Sequence, residues 1–326
     1  MSTVFLTGAT GMIGSNIAEQ LIERGDTVRA LVRDGSDATP LEAMGVEIVR
    51  GDITDADHVL RAADGAEYVI HSAAVLGGQT QIAGEHEAVN VVGTGHVLDA
   101  AAKVGATRVV QLSTTTFFDA QDAPLTEHSP LDPNPSDDPY TVTKRAAYLD
   151  AMRRVDDGQD ICIVISGGAY GISPLPERSM VAPSYNARIA LALAGEITEY
   201  VGFPIPWVYA GDVAQASVAA TRKGLAGERY LAFGRPGDVG GVPWFCNLAL
   251  EVAGSDRRVT EVGVAELDDP EVAARFGPSL VALARKQFPS PFFVNDQTVE
   301  RLGYEPLTLR EGFERTIPWM REQGLL

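Results

Sequence analysis

Short β-branched runs alternate with helical periodicity through the first half of the chain. Thr3–Thr7 reads as a buried strand, and apolar positions at helical spacing follow from Met12 to Arg24. Thr27–Val32, Val46–Arg50, Glu67–His71 and Thr107–Ser113 read as further strands, with helical patterns over Asp55–Ala63 and Glu85–Lys103 between them. Near-continuous Val, Ile and Leu runs mark strands buried on both faces. Their alternation with helices predicts an α/β fold, a doubly wound parallel sheet of the Rossmann type with right-handed crossovers.

The texture changes after Phe117. Residues 119–138 hold five Asp and four Pro and read as an irregular acidic surface loop. Asp138-Pro139 then supplies an N-cap and a first-turn proline for a helix expected to reach about Val155. Ile161–Ser166 is a sixth strand. Past Gly171 the pattern is irregular, with aromatic-proline clusters at Phe203–Trp207, Pro243–Phe245 and Phe288–Phe293. Thr308 and Glu311 form a capping-box start for a last helix ending before Gly324. The expected organisation is a dinucleotide-binding domain over residues 1–170, to which 206–235 return. A smaller, partly discontinuous C-terminal substrate lobe, residues 171–205 and 236–326, would lie over the carboxyl ends of the strands, where open α/β sheets bind ligands.

Charge and cysteine usage narrow the partners. Against 26 basic residues stand 44 acidic ones, for a net charge of −18. That excess disfavours nucleic acid and anionic membrane surfaces and leaves a small-molecule substrate as the expected partner. Cys162 and Cys246 are too far apart for a metal knuckle or redox pair, and the five histidines show no ligand spacing, so no metal site is expected. No apolar run reaches about 18 residues and no cleavable leader is visible, so the expected location is cytoplasmic.

Directly after the first strand stands Gly8-Ala9-Thr10-Gly11-Met12-Ile13-Gly14, opening a helix. Residues without a Cβ let backbone N–H groups approach a pyrophosphate, and the helix start adds about half a positive charge. The spacing is G-x-x-G-x-x-G, not the G-x-G-x-x-G of two-domain dehydrogenases. At the end of the second strand a carboxylate selects NAD, through the ribose 2′-hydroxyl, and a cation selects NADP. Arg33 occupies the first position past that strand, which favours NADP; Asp34 beside it keeps NAD open.

Tyr140 and Lys144 are spaced i,i+4, one turn apart on one helical face. A lysine cation favours the phenolate and is expected to bring a phenol, whose reference pKa is about 10, toward working range. The fifth strand ends in Ser113-Thr114-Thr115, whose hydroxyls would reach the same cleft.

Together, Thr7–Gly14, Gly51-Asp52-Ile53, His71–Ala74, Asn90–Thr94, the Ser113-Thr114 strand end and Tyr140-x-x-x-Lys144 resemble the extended short-chain dehydrogenases/reductases. That group includes the nucleotide-sugar epimerases and dehydratases and the dihydroflavonol-reductase-like carbonyl reductases. Residues Arg301–Pro306, followed by a helix ending in Trp319, are similar to that family's tail. The resemblance implies a catalytic set of Tyr140 as proton donor and acceptor, Lys144 on the nicotinamide ribose, and Thr114 as the substrate-orienting hydroxyl, with Thr115 as the fallback. The implied cofactor-binding set is Gly8, Thr10, Gly11, Met12, Ile13, Gly14, Arg33, Asp52, Ile53, Ala73, Ser113, Tyr140 and Lys144. Asp52 and Ile53 would contact the adenine, Ala73 would line the cofactor path, and Asn90 would be structural or part of a proton relay. His71, inside one of these motifs, is expected to pack rather than react. One departure is Ser166-Gly167, where most relatives carry Arg-Pro.

The leading expectation is an NADP-dependent oxidoreductase acting on a small, largely apolar ketone, aldehyde or alcohol. Thr115-Thr116 replace the Asp-Glu pair that sugar dehydratases use for elimination, and the second half is rich in Phe, Trp and Pro. The alternatives are a nucleotide-sugar epimerase holding NAD, with Arg178, Arg188, Arg235 and Arg275 clamping a diphosphate, and a non-catalytic cofactor-sensing protein. Helices at Val89–Val104 and Tyr140–Val155 carry apolar positions outside a sheet-facing stripe, and the resemblance implies that they pair in a homodimer.

Overall fold

A computed structural model describes residues 1–80 and 82–326. The first half runs β1 (Thr3–Thr7), α1 (Met12–Glu23), β2 (Thr27–Val32), α2 (Thr39–Ala43), β3 (Glu47–Arg50), α3 (Ala56–Ala63) and β4 (Tyr68–His71). A π-helical turn (Glu87–Gly93) leads into α4 (Thr94–Val104), followed by β5 (Arg108–Thr114), α5 (Pro139–Asp156) and β6 (Ile161–Ser166). Then come β7 (Gly168–Tyr170), α6 (Pro176–Ser179), α7 (Tyr185–Ala194), β8 (Glu199–Val201), β9 (Ile205–Tyr209), α8 (Ala210–Lys223) and β10 (Arg229–Ala232). The tail holds β11 (Val239–Gly240), α9 (Val242–Val252), β12 (Thr260–Val262), α10 (Pro270–Phe276), α11 (Pro278–Ala284), α12 (Asp296–Leu302) and α13 (Leu309–Glu322).

Seven strands form one parallel sheet in the order β10-β6-β5-β4-β1-β2-β3. Winding proceeds outward from β1 through β2 and β3, then returns to β4 on its other side. The crevice at the carboxyl ends of β1 and β4 is therefore the ligand-binding switch point of a Rossmann-type fold. Alternate residues of each strand feed two cores. Val4, Leu6, Val110, Leu112 and Val164 pack with Ile17 and Leu21 of α1 and Val213 of α8. Phe5, Val69, Val109, Ile161 and Ile163 pack with Val59 of α3, Leu98 of α4 and Tyr148 of α5.

The last part of the chain builds a separate core of Tyr170, Trp207, Phe245, Phe313 and Met320, with Trp207 stacked on Phe245 at 3.9 Å between ring centroids. Asp212 and Asp238 fasten α13 to it, their carboxylates accepting from the N–H groups of Leu307 and Leu309 at 2.9 and 2.8 Å. Burial pushes the Asp212 carboxyl up to about 6.

Two features depart from the sequence pattern. The irregular region past Gly171 contains α8, whose Ala, Ser and Thr side chains are buried on several sides, so no polar face marks its period. The helix expected over Glu85–Lys103 begins with a π-turn centred on Asn90, a feature concentrated at functional sites. No helix of the described residues is long and apolar enough to cross a membrane.

Candidate active site

The glycine turn separates what the fold needs from what a ligand needs. Gly8 has φ +76, and a Cβ there would lie 2.6 Å from the Ala73 nitrogen; one on Gly14 would lie 2.0 Å from the Gly8 oxygen. Packing alone explains these two glycines. Gly11 differs: its φ of −88 suits any residue, and a methyl added there would come no closer than 3.4 Å to a neighbour, the Gly8 oxygen. Gly11 is nevertheless the N-cap of α1, with no side-chain cap. The first N–H groups of α1 are left open toward a cavity of about 1830 Å³. An uncapped helix start whose central residue lacks a side chain for no internal reason fits a pyrophosphate.

That cavity is lined by every residue of the two expected sets, from Gly8, Thr10, Gly11, Met12, Ile13 and Gly14 through Arg33, Asp52, Ile53, Ala73, Ser113, Thr114, Tyr140 and Lys144. Thr115 lines it too. Arg33 is exposed at its mouth, while Arg50 braces the turn beneath by donating to the carbonyl oxygens of Arg33 and Ser36 at 3.0 and 2.8 Å. Asp52 accepts from the Thr54 N–H and hydroxyl at 2.9 and 2.7 Å, and its carboxyl lies below the usual range despite burial.

Asp138 caps α5 by accepting from the Thr141 N–H at 3.0 Å, and Pro139 begins the helix, which presents Tyr140 and Lys144 to the cavity. The Tyr140 phenol sits beside Thr114, and Tyr185 approaches from α7. Here the expectation of an acidic phenol is corrected. Burial pushes Tyr140 up to about 12, with Asp138 and Tyr185 adding to the rise and Thr114 opposing it. Lys144 does not offset this rise; its ammonium donates to the Leu112 carbonyl at 2.8 Å. Burial also lowers the lysine itself to about 8.

Behind Lys144 lies a buried polar layer that the sequence pattern presents only as packing. The His71 ring is 1% exposed and both its nitrogens are engaged, Nδ1 with Thr7 Oγ1 at 2.7 Å and Nε2 with Thr94 Oγ1 at 2.8 Å. The Thr94 hydroxyl donates to the Asn90 carbonyl at 2.7 Å, so His71 Nε2 carries the hydrogen and Nδ1 accepts from Thr7. Desolvation first, then the Lys144 charge, lower His71 to about 3, so the ring stays neutral. Asn90 in turn ties the strand-end loop to α5, donating to Val75 O at 3.0 Å and Thr143 Oγ1 at 3.2 Å.

The four arginines expected to clamp a diphosphate do not meet. Arg178 and Arg188 line the cavity. Arg275 pairs with Glu199, and Arg235 lies among Asp212, Asp238 and Glu311, both outside the cavity wall. The remaining wall mixes aromatic side chains, Phe118, Tyr185, Phe203, Phe288 and Phe292, with polar ones such as Gln79, Gln121 and Asn134, and an Asp132–Lys286 pair at 3.8 Å bridges part of the rim.

A sequence model of the NAD dependent epimerase/dehydratase family matches residues 4–232. The chain belongs to that family. It is accordingly an NAD(P)-dependent enzyme of the extended short-chain dehydrogenase/reductase type. It is similar to a protein named sterol demethylase protein B from Methylococcus capsulatus, 30% identical over 99% of this chain and 100% of the relative. A 4-hydroxy-2-methyl-3-oxo-4-farnesyl-3,4-dihydroquinoline-1-oxide ketoreductase from Stigmatella aurantiaca is 28% identical over 85% of this chain and 80% of its own. Among solved structures, a nucleoside-diphosphate-sugar epimerase from Pseudomonas aeruginosa superposes with a TM-score of 0.81, covering 99% and 98% of the two chains at 22% identity, a likeness of fold.

Proposed function

We propose that the protein is an NADP(H)-dependent oxidoreductase that interconverts a ketone or aldehyde and its alcohol on a largely apolar, alicyclic substrate. The observation that carries this reading is the meeting of Thr114, Tyr140 and Lys144 in the cavity onto which the glycine turn opens. A nicotinamide held there would supply or take up the hydride. In the reductive direction Tyr140 gives its proton to the carbonyl oxygen, and a phenol at about 12 is protonated throughout the neutral range, as a donor must be. Thr114 holds the same oxygen in place. Lys144, charged below about pH 8, is assigned to the nicotinamide ribose. Arg33 is assigned to the 2′-phosphate, Asp52 and Ile53 to the adenine, and Ala73 and Ser113 to the cofactor path. The substrate enters between the sheet and the lobe of residues 171–205 and 236–326.

The cluster of aromatic side chains in the wall and the relative named sterol demethylase protein B support a polycyclic alcohol or ketone as substrate. Of the four arginines, only Arg178 and Arg188 line the cavity, which weighs against a four-arginine clamp on a nucleotide sugar. The test is turnover of an aldehyde, ketone and sterol panel with NADPH and NADH, repeated with Tyr140→Phe. Loss of turnover in Tyr140→Phe with cofactor binding retained is the expected result. No oxidation of NADPH by any member of the panel, with binding intact, would favour a cofactor-sensing protein. NAD released on denaturing the purified protein would favour an epimerase.

A further inference from the structure

We infer that Arg178, from the C-terminal half of the chain, clamps the pyrophosphate of the dinucleotide from the side opposite α1. The inference rests on the cofactor reading above and adds a residue outside the glycine motif. Arg178 lies in α6, 168 positions from Thr10, yet its Nε donates to the Thr10 carbonyl at 3.4 Å. Thr10 belongs to the turn itself, so the guanidinium stands over the open start of α1. Its other donors make no hydrogen bond or ion pair among the described residues, the side chain is exposed, and it lines the cavity beside Gly11 and Met12.

The placement is built, not accidental. Three contacts staple the segment carrying Arg178 to the first turns of α1. Ser15 and Ser173 join hydroxyls at 3.1 Å. Asn16 Nδ2 donates to the Ile172 carbonyl at 3.0 Å, and Asn186 reaches the Met12 sulfur at 3.8 Å. Asn186 also fixes both polar groups of the Gly171 backbone, at 2.9 and 2.8 Å. A segment so held carries its cation to the same phosphate-binding helix start whatever occupies the rest of the cavity. A planar, permanently charged fork is the group best suited to a diphosphate.

The shared chemistry is a diphosphate, which a nucleotide-sugar substrate could also bring. Contact with Thr10 commits Arg178 to the cofactor. The experiment measures binding of NADPH, ADP-ribose, 2′-AMP and UDP to wild type, Arg178→Met and Arg178→Lys, by calorimetry or fluorescence, at several salt concentrations. Loss of a charge-assisted hydrogen bond predicts roughly tenfold weaker binding of NADPH and ADP-ribose in Arg178→Met, a smaller loss in Arg178→Lys, and a shallower salt dependence. Binding of 2′-AMP, which lacks the diphosphate, should not change. Wild-type affinity of Arg178→Met for ADP-ribose overturns this inference alone, as does a loss confined to UDP. Failure of the wild-type chain to bind any dinucleotide overturns the cofactor reading and this inference together. The side chain is exposed, so unfolding is not expected; equal melting temperatures of the three proteins verify it.

Discussion

Gly11 and Gly14 carry opposite predictions, although one motif contains both. In Gly14→Ala the new methyl would sit 2.0 Å from the Gly8 oxygen and 2.7 Å from its carbonyl carbon. Gly8 cannot move aside, because it is held at φ +76 against Ser72 and Ala73. An overpacked contact of this kind costs about 1–3 kcal/mol, and backbone on both sides places it toward the upper end. In Gly11→Ala the methyl meets only an ordinary contact at 3.4 Å, in a backbone conformation alanine adopts freely. The restricted unfolded chain gains about 0.4–1 kcal/mol, offset by roughly 0.5–1 kcal/mol lost in replacing glycine by alanine at an N-cap position. Stability should therefore stay within about 1 kcal/mol of wild type. Binding should not. The methyl stands where a pyrophosphate oxygen must approach the open N–H groups, and losing one charge-assisted bond costs about 1.5–3 kcal/mol, roughly tenfold to a hundredfold in dissociation constant. Thermal unfolding and NADPH fluorescence titration of both variants check the two halves separately. Wild-type cofactor affinity in Gly11→Ala would refute the phosphate cradle, and wild-type stability in Gly14→Ala would refute the packing argument.

Arg33→Ala should raise the Michaelis constant for NADPH about tenfold and leave that for NADH unchanged, as expected for one lost phosphate contact; steady-state kinetics with both cofactors decide it, and a preference for NADH untouched by the substitution removes the assignment. Lys144→Met should abolish turnover yet raise the melting temperature at pH 7. Burial lowers the Lys144 pKa from 10.5 to about 8, so keeping it charged costs the folded state roughly 3 kcal/mol below pH 8, a penalty that fades as pH rises toward 10.5. The stability gain of the variant should shrink across that same window, and a variant less stable than wild type at pH 7 would contradict it. Asp212, raised to about 6, favours its protonated form in the fold, so stability should fall as pH rises from about 4 to 6, and Asp212→Asn should flatten that slope in denaturant titrations. Val142 and Leu149 on α5 and Val92 before α4 are 50%, 42% and 45% exposed, and a homodimer burying them should show twice the chain mass by light scattering and become monomeric in Leu149→Glu.

The strands and the catalytic helix were legible because their determinants are local. A run such as Ile161–Ser166 is apolar on both faces and belongs in a parallel sheet, and Asp138-Pro139 starts a helix through its own atoms. The glycine turn was legible as a motif, but not the division of labour inside it, which depends on how close Gly8 lies to Ala73. What stayed hidden is set by distance along the chain. His71 finds partners 64 and 23 residues away, and Arg178 meets the turn across 168, with no spacing rule to announce either. The phenol's acidity was misjudged for the same reason. An i,i+4 lysine would lower it on an open helix surface, but this helix is packed on the sheet, where desolvation dominates and the ammonium finds the Leu112 carbonyl first.

The polar layer under the helix pair is best understood as a device for holding one positive charge. A buried ammonium tolerates no second cation nearby, and His71 is the group that could become one. A doubly protonated His71 would need acceptors at both nitrogens. Thr7 Oγ1 already accepts the Ala73 N–H at 3.3 Å and donates its own hydrogen to Nδ1, so protonation there would oblige the hydroxyl to turn that hydrogen away and accept a second one. Desolvation and the Lys144 charge keep the ring neutral, and its hydrogen bonds to the two threonines suit that form. A sheet evolved only for stability would fill this space with apolar side chains, as it does at Phe5, Val69 and Val109 on the same face. Retaining a desolvated lysine, a histidine barred from charging and a π-turn to seat Asn90 makes sense where a proton must be moved at Tyr140 while the net charge beside it stays constant.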